Sequence, residues 1–493
     1  MDRALIANAF RFFGFAQRIP PVSLAFVASL LLSAVAVSGT ILVGRDAALY
    51  LHIAEQVLEQ GPGVARTLFD WPWFSLLLAG SNWLLGLPLE QVAYLWCALF
   101  MAGICALLVA ISERTFSGSG YWACLVVLSV PAFNQFRYEI LREFGFWFFC
   151  ILALWLTLKW FERADWKSAA LLQLAIVAGA LFRLEAVFLM PVLAFCLAPE
   201  LNTRQAWARL LQVSVLPIAC LLAILILALA GSEPPTARFA IYWSLLDPQS
   251  VLKSLDALGK GLAQGGLQEH GQEDANRIVF FGLSAFIVSK FFALCGPFAV
   301  PFLYPASWLA VRDFWQRLRP FAWAWLLYFC ILQLFFLRSG FLNSRYISFL
   351  NLLAVPLLSA ILVALVRRFP RYAKLFVGLA LLVMLANVIS LSAKKTHYLE
   401  ASAWIQQHTQ PSDTIYYDDS RIAYYAGRGY PRRRMPQELL MAAEPDYLRS
   451  VRYFVISAKE DDPVLKDWLA GQGKRLLGSF ANRKGEMILI LGD

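Results

Sequence analysis

The stretch Gly44-Arg45-Asp46-Ala47-Ala48-Leu49-Tyr50-Leu51-His52-Ile53-Ala54-Glu55-Gln56-Val57-Leu58-Glu59-Gln60-Gly61 follows directly on a long apolar run. An Arg-Asp pair therefore stands where the chain leaves the apolar segment. Asp46 is placed to act as the N-cap of a short helix, its carboxylate accepting from the first unsatisfied backbone N–H groups. Tyr50, Ile53, Ala54, Val57 and Leu58 then share one helical face, with His52, Glu55, Gln56 and Glu59 on the other. Gly61 supplies the C-terminal stop and Pro62 prevents continuation. The segment reads as an amphipathic helix lying at a membrane surface with a carboxylate at its start. That carboxylate either only caps the helix or is presented for chemistry, and the spacing does not choose between the two.

The membrane setting comes from composition. Of 493 residues, 59% are hydrophobic and only 15% charged, too few charges to cover the surface of a soluble protein of this size. The formal charge of +10 does not indicate nucleic acid, because the basic residues gather in short loops between apolar runs. That is the positive-inside pattern, with contact to anionic lipid head groups as a secondary role. All eight cysteines lie in apolar segments, so no disulfide framework is expected in the hydrophilic C-terminal part. With no CxxC or Cys/His cluster, a structural zinc site is not expected either.

Residues 22–43 form an apolar run long enough to span a bilayer, preceded by Arg11 and Arg18. We read it as an uncleaved first helix with a cytoplasmic N-terminus, and residues 1–20 as a basic amphipathic leader on the cytoplasmic surface. Residues 71–87 are apolar but short and contain Pro72, Ser75, Ser81 and Asn82, which suits a second juxtamembrane helix. If they crossed, Arg114 and the Lys159/Arg163/Lys167 group would fall outside. Further spans are expected at 91–111, 121–136, 144–161, 168–182, 186–197, 210–230, 321–337, 347–366 and 375–391. Residues 231–277 read as a polar external loop. Residues 280–311, with Lys290 and Pro297, Pro301 and Pro305, read as a surface helix followed by a broken span. The sum is about eleven spans, with the C-terminus outside.

From Ala393 the composition becomes that of a soluble domain. A helix is expected over His397 to His408, strands at 414–417, 453–457 and 487–491, and helical patterns at 437–443 and 463–469. The fold class is thus a polytopic α-helical membrane protein with a small C-terminal extracytoplasmic α/β domain. Residues 1–392 form the transmembrane domain, including the first external loop at 44–87, and residues 393–493 the soluble domain. No nucleotide-binding glycine loop and no internal repeat is visible.

This topology collects Arg45, Asp46, Asp70, Arg137, Glu139, Arg142, Glu143, Arg183, Glu185, Lys290, Arg338 and Arg345 at the outer membrane face. Ionisable groups at membrane depth are costly and are usually paired or functional. Interfacial anchoring is the reading for Arg338. For the Arg-acid doublets at two span ends, function is the reading we favour. Asp46, Asp70 and His52 together make a divalent cation conceivable, without a ligand spacing that requires one.

The first loop resembles that of glycosyltransferase family 39, which includes the protein O-mannosyltransferases and bacterial transferases acting on lipid A. The resemblance rests on Asp46, Tyr50, Ile53-Ala54 and Gly61 after the first span, and as architecture covers roughly the first 390 residues. It implies a GT-C fold and transfer of a sugar from a polyprenyl-phosphate donor to a glycan, lipid or protein acceptor outside the cytoplasm, at a bacterial inner membrane; inversion by direct attack is expected because no second carboxylate is placed for a covalent intermediate. It also implies residue roles. Asp46 would be the general base and Glu143, in Leu141-Arg142-Glu143-Phe144, the second external acid. Arg45, Arg142, Arg183, Arg345 and Tyr346 would serve the donor phosphate. Tyr50, Asp70 and Glu185 would contact substrate. The segment Phe69-Asp70-Trp71-Pro72 departs from the family, in which many bacterial members carry Lys where Trp71 stands. The run Arg432-Arg433-Arg434 either meets an acidic acceptor or is a solvated loop. A secondary transporter, lipid-linked glycan flippase or polymerase is the alternative, although such transporters tend to show internal repeats and midplane charges.

Overall fold

The computed structural model describes residues 19–229, 247–390, 392–431, 445–459 and 474–492. Residues 1–18 of the leader expected over 1–20, the helical patterns at 437–443 and 463–469, and the Arg432-Arg433-Arg434 run lie outside these residues. Two compact units interleave along the chain. One takes the described residues of Met1–Val35, Trp96–Arg137 and Arg142–Ile389; the other takes those of Ala36–Leu95, Tyr138–Leu141 and Ser390–Asp493. The first-loop segment and the C-terminal residues thus belong to one unit.

The first unit is a helical bundle. Among the described residues of the chain, seven helices are long and apolar enough to cross a membrane, including Leu89–Thr115, Glu143–Arg163, Arg319–Ser339 and Ser344–Arg368. The shortest of the seven has 18 residues, about 27 Å at 1.5 Å per residue, near the thickness of the hydrocarbon core. Other expected crossings are shorter helices. Residues 121–136 become Gly120–Ser129 and Pro131–Asn134, interrupted at Pro131, whose ring has no N–H for the ladder. Residues 168–197 become Trp166–Phe182, capped by the Asp165 side chain, and Leu189–Leu197, separated by a tight turn at Leu184–Phe188. Arg204–Leu229 is a long helix carrying Pro217 inside it.

Two expectations need correction. Much of the stretch read as a polar loop is helical: Pro248–Gly266 is amphipathic and capped by Asp247, which accepts from the backbone of Gln249 and Ser250. Its glycines and charges suggested a loop, but its apolar residues recur at helical spacing. The order of the broken segment is also reversed. The long helix Ala275–Cys295 comes first, the chain breaks at Gly296 (φ 57°) before Pro297, and the amphipathic helix Ser307–Arg317 follows.

In the second unit the opening stretch is a helix, Arg45–Gln60, closed by Gly61 at φ 90°. Its N-cap is Gly44, in an extended conformation, and no side chain caps it. Asp46 stands one residue inside the first turn instead of at the cap, because the extended backbone ends at Gly44. Burial is concentrated toward the start of the helix, at Ala47, Ala48, Tyr50, Leu51, Ile53 and Ala54. Leu58, on the same apolar face, is exposed at the far end of the helix. Trp73–Leu85 is the expected short helix, entered through Pro72 and ended by left-handed Gly86.

Among its described residues the C-terminal part holds a four-stranded sheet in the order β1 (Ile415–Tyr417), β2 (Tyr453–Lys459), β4 (Glu486–Gly492), β3 (Arg475–Ala481). β1 and β2 are parallel; the other pairs are antiparallel. Alternation along the strands sends side chains to opposite faces. Tyr417, Val455, Ile488 and Ile490 join the helices Thr396–His408 and Ser420–Tyr425 in one core. Tyr416, Phe454, Ile456 and Leu491 form a second core with Leu448 and Val451.

Candidate functional site

Six of the residues singled out from sequence lie in the helical unit, and the structure brings their side chains into one cluster. Glu143 opens the Glu143–Arg163 helix. Arg183 ends the Trp166–Phe182 helix, where the backbone turns extended (φ −147°, ψ 125°) into the Leu184–Phe188 turn that carries Glu185. The two helices approach so closely at Gly145 that an added Cβ would run into the Phe182 ring. Glycine is required there to set Glu143 beside Arg183.

Arg183 donates Nη1 to Glu143 Oε1 at 2.9 Å and Nε to Glu185 Oε1 at 3.1 Å, with Nη2 also donating to Glu185. Arg345 brings its Nε within 3.7 Å of Glu143 Oε1. It is held by the start of the Ser344–Arg368 helix, where the Asn343 cap accepts from the Arg345 backbone N–H. The Tyr346 ring lies under the Arg183 guanidinium at 4.7 Å and under that of Arg345 at 5.8 Å, a favourable cation–π setting. The Arg142 charge also acts on Glu143 and Glu185. Below them Phe146, Phe188, Tyr328 and Phe349 form an aromatic floor, with Tyr328 and Phe349 edge to face at 4.9 Å. Three guanidinium groups face two carboxylates, so the ionised cluster carries one net positive charge. Glu143 Oε2 and Glu185 Oε2 are buried and accept no hydrogen bond among the described residues. Such a cluster is suited to an anion that also carries hydroxyl donors.

The other four residues lie in the second unit. Tyr50 packs edge-on against Phe69 and Phe74, at 6.2 and 5.4 Å between ring centroids. Its part in the geometry is to seat the Arg45–Gln60 helix on Trp73–Leu85. Asp70 lies in the connection between Val64–Leu68 and that second short helix. Arg45, expected at a donor phosphate, donates Nε and Nη2 to Asp419 Oδ2 at 3.0 and 2.7 Å.

Asp419 and its neighbours were not singled out from sequence. Arg421 also donates to Asp419, Nε to Oδ1 at 2.9 Å and Nη2 to Oδ2 at 2.8 Å. Burial alone would raise the Asp419 carboxyl, but the hydrogen bonds and charge of Arg421, joined by Arg45, hold it down to about 2. Tyr424 donates to Glu55 at 3.2 Å; Tyr425 donates to Glu90 at 3.3 Å and accepts from the Val43 backbone N–H at 3.1 Å. Burial pushes the Tyr425 phenol up to about 12, which keeps it protonated as a donor. The acid-rich Asp418-Asp419-Ser420-Arg421 run directly after β1 was the available signal.

Not every charge of the expected outer group joins these clusters. Arg137 is buried and donates to Asn134 Oδ1, Ser29 O and Oγ, and Ser33 Oγ at 2.8–3.0 Å. It ties helices together through neutral acceptors. Arg338 donates to Ser250 Oγ at 2.7 Å on the exposed surface, and Lys290 lies over Phe286. Among the described residues, no three His, Cys, Asp or Glu side chains come together as a metal site.

No protein-family description and no curated protein matches the chain. Among solved structures, ArnT from Cupriavidus metallidurans in the apo state is similar over 95% of this chain and 97% of that one. The TM-score is 0.59 at 14% identity. The arabinofuranosyltransferase AftD from Mycobacteria is aligned over 96% of this chain but 41% of its own length, with a TM-score of 0.42 at 16% identity. The chain thus has the GT-C fold expected from its sequence, that of a polytopic helical membrane protein.

Proposed function

We propose that the protein is a membrane glycosyltransferase that moves a sugar from a polyprenyl-phosphate donor to an acceptor hydroxyl outside the cytoplasm. The acceptor oxygen attacks the anomeric carbon, the bond from that carbon to the phosphate oxygen breaks, and the lipid phosphate leaves. Direct attack inverts the anomeric centre. Asp46 takes the acceptor proton; Arg142, Arg183 and Arg345 neutralise the charge that develops on the leaving phosphate. Glu143 and Glu185 align these arginines, and their second oxygens are suited to sugar hydroxyls. Tyr346 supports the two guanidinium groups from below. We assign Tyr50 and Asp70 to contact with substrate. We assign Arg45 to holding its loop through Asp419.

The observation that carries this reading is the cluster of Arg142, Arg183 and Arg345 around the buried Glu143 and Glu185, positive overall and present on a GT-C fold. The acceptor class is a lipid A or lipopolysaccharide sugar, another glycan or a protein. The cell location is a bacterial inner membrane, with a cytoplasmic N-terminus and a periplasmic C-terminal domain, divided near residue 392 along the sequence.

Turnover by Asp46→Asn tests the base. General-base catalysis contributes about 10²- to 10⁴-fold, so a loss in that range from a folded, membrane-inserted variant is expected. Near-normal turnover removes Asp46 from the role. Arg345→Ala should raise the KM for donor with little change for acceptor, and an effect confined to acceptor contradicts its assignment.

A further inference from the structure

A second cluster of charge lies in the helical unit, at helix ends remote in sequence from those that carry Glu143 and Arg183. The ends of Leu89–Thr115, Glu143–Arg163, Ser307–Arg317 and Arg319–Ser339 meet the short turn Ala198–Glu200 and the Arg204–Leu229 helix there. They line an open pocket of about 520 Å³ that presents Arg114, Glu162, Glu200, Arg209, Arg317 and Arg319. Volumes of about 300–1,000 Å³ are usual for small-molecule sites. Four arginines against two glutamates leave two positive charges.

The arginines are arranged by their neighbours. Glu200 uses one oxygen for each of two: Arg209 Nη1 donates to Oε2 at 3.3 Å, and Arg319 Nη1 lies 3.9 Å from Oε1. Arg319 Nη2 donates to the Cys196 carbonyl at 3.0 Å, and Arg317 Nη1 to the Thr115 carbonyl at 3.3 Å. Both carbonyls are neutral, so Arg317 meets no carboxylate among the described residues and Arg319 is balanced only by its longer contact to the Glu200 it shares with Arg209. Arg209 Nε is buried and donates to nothing among the described residues. Leu158 and Phe161 add apolar wall beside the charged groups.

We propose that this cavity binds a phosphate monoanion or diester, as the head group of an anionic phospholipid drawn from the leaflet at the basic ends of the helices. A guanidinium pair held by one carboxylate matches two phosphate oxygens. The charge of Arg317 and the excess of four arginines over two glutamates favour an anion, and the Leu158/Phe161 wall suits the glycerol end of a lipid. Basic pockets between membrane helices are a known setting for such head groups. The proposal is independent of the transferase reading, since it uses none of those residues.

The test is thermal unfolding of the purified full-length protein in a neutral detergent, titrated with phosphatidylglycerol, phosphatidylcholine or inorganic phosphate. Phosphatidylglycerol should raise the Tm of the wild type saturably, with phosphatidylcholine inactive. Arg209→Gln combined with Arg319→Gln should weaken the midpoint by about tenfold or more, equivalent to about 1.4 kcal/mol. Arg209→Lys, which keeps the charge and the fold, should weaken it less. Equal stabilisation by millimolar inorganic phosphate would support the phosphate site and assign it to a soluble ligand. Equal response to the zwitterionic lipid, or an unchanged midpoint in both Arg209→Lys and the double variant, would overturn the proposal.

Discussion

Arg183 and Arg345 flank the same Glu143 oxygen, but they do so differently, and their substitution should separate stability from donor use. Arg183 is largely buried and hydrogen-bonded to both Glu143 and Glu185. Removing it leaves two buried carboxylates without their main partner, so Arg183→Ala should cost about 3–5 kcal/mol and lower the thermal unfolding temperature. An unchanged unfolding temperature would mean that the carboxylates reorganise without it. Arg183→Lys should recover only part of the loss, because an ammonium group cannot serve two carboxylates in the planar geometry of a guanidinium. Arg345 is an ion-pair neighbour at 3.7 Å, so Arg345→Ala should leave the fold nearly intact and act on the donor. These residues were legible from sequence because charge is rare in membrane-depth segments. Their mutual geometry was not, since Glu143, Arg183 and Arg345 meet only through helix packing. Arg137 shows the limit of that signal. It has the same rarity, yet its partners are serines, an asparagine and a cysteine that carry no charge to reveal them.

At the scale of elements, the apolar periodicity located the helices well. The errors fell where periodicity competes with composition. Pro248–Gly266 looked like a loop because glycines and charges interrupt its apolar stripe. β3 was missed because Leu476 and Leu477 are both exposed, with a register shift between Leu476 and Gly478, so no alternation marks the strand. The position of Asp46 inside the first turn was also hidden, since an Asp after Gly reads equally as a cap. The close packing at Gly145 yields a direct prediction. Gly145→Ala must shift either the Glu143–Arg163 helix or the Phe182 ring, and overpacking of this kind costs about 1–3 kcal/mol. It should also weaken the Glu143–Arg183 pair, so activity should fall further than stability alone explains. Wild-type turnover and unfolding temperature in that variant would show that Phe182 can simply move aside.

Across the whole molecule, the fold class followed from composition and loop charge, whereas the link between the first loop and the C-terminal residues did not. It depends on side chains about 370 positions apart in sequence, Arg45 with Asp419 and Glu55 with Tyr424, and no periodicity reports a pairing at that range. This link should be sensitive to acid. The Asp419 carboxyl is held near 2 in the folded protein against an ordinary 3.8, so its ionised form favours folding. The contribution, about 2 kcal/mol, is full above about pH 4 and is lost as pH falls through about 2. Asp419→Asn should therefore lower stability at neutral pH and flatten the acid limb of the stability profile. An acid limb of wild-type steepness would place the titration elsewhere.

The central claim, a transferase that uses a lipid-phosphate sugar, is tested most directly by mass spectrometry of the lipids that co-purify with Asp46→Asn. An enzyme without its base should retain its donor, and the account predicts a polyprenyl phosphate carrying one sugar. A lipid-linked oligosaccharide would point instead to a flippase or polymerase, and bulk phospholipid with no polyprenyl phosphate would contradict the donor assignment.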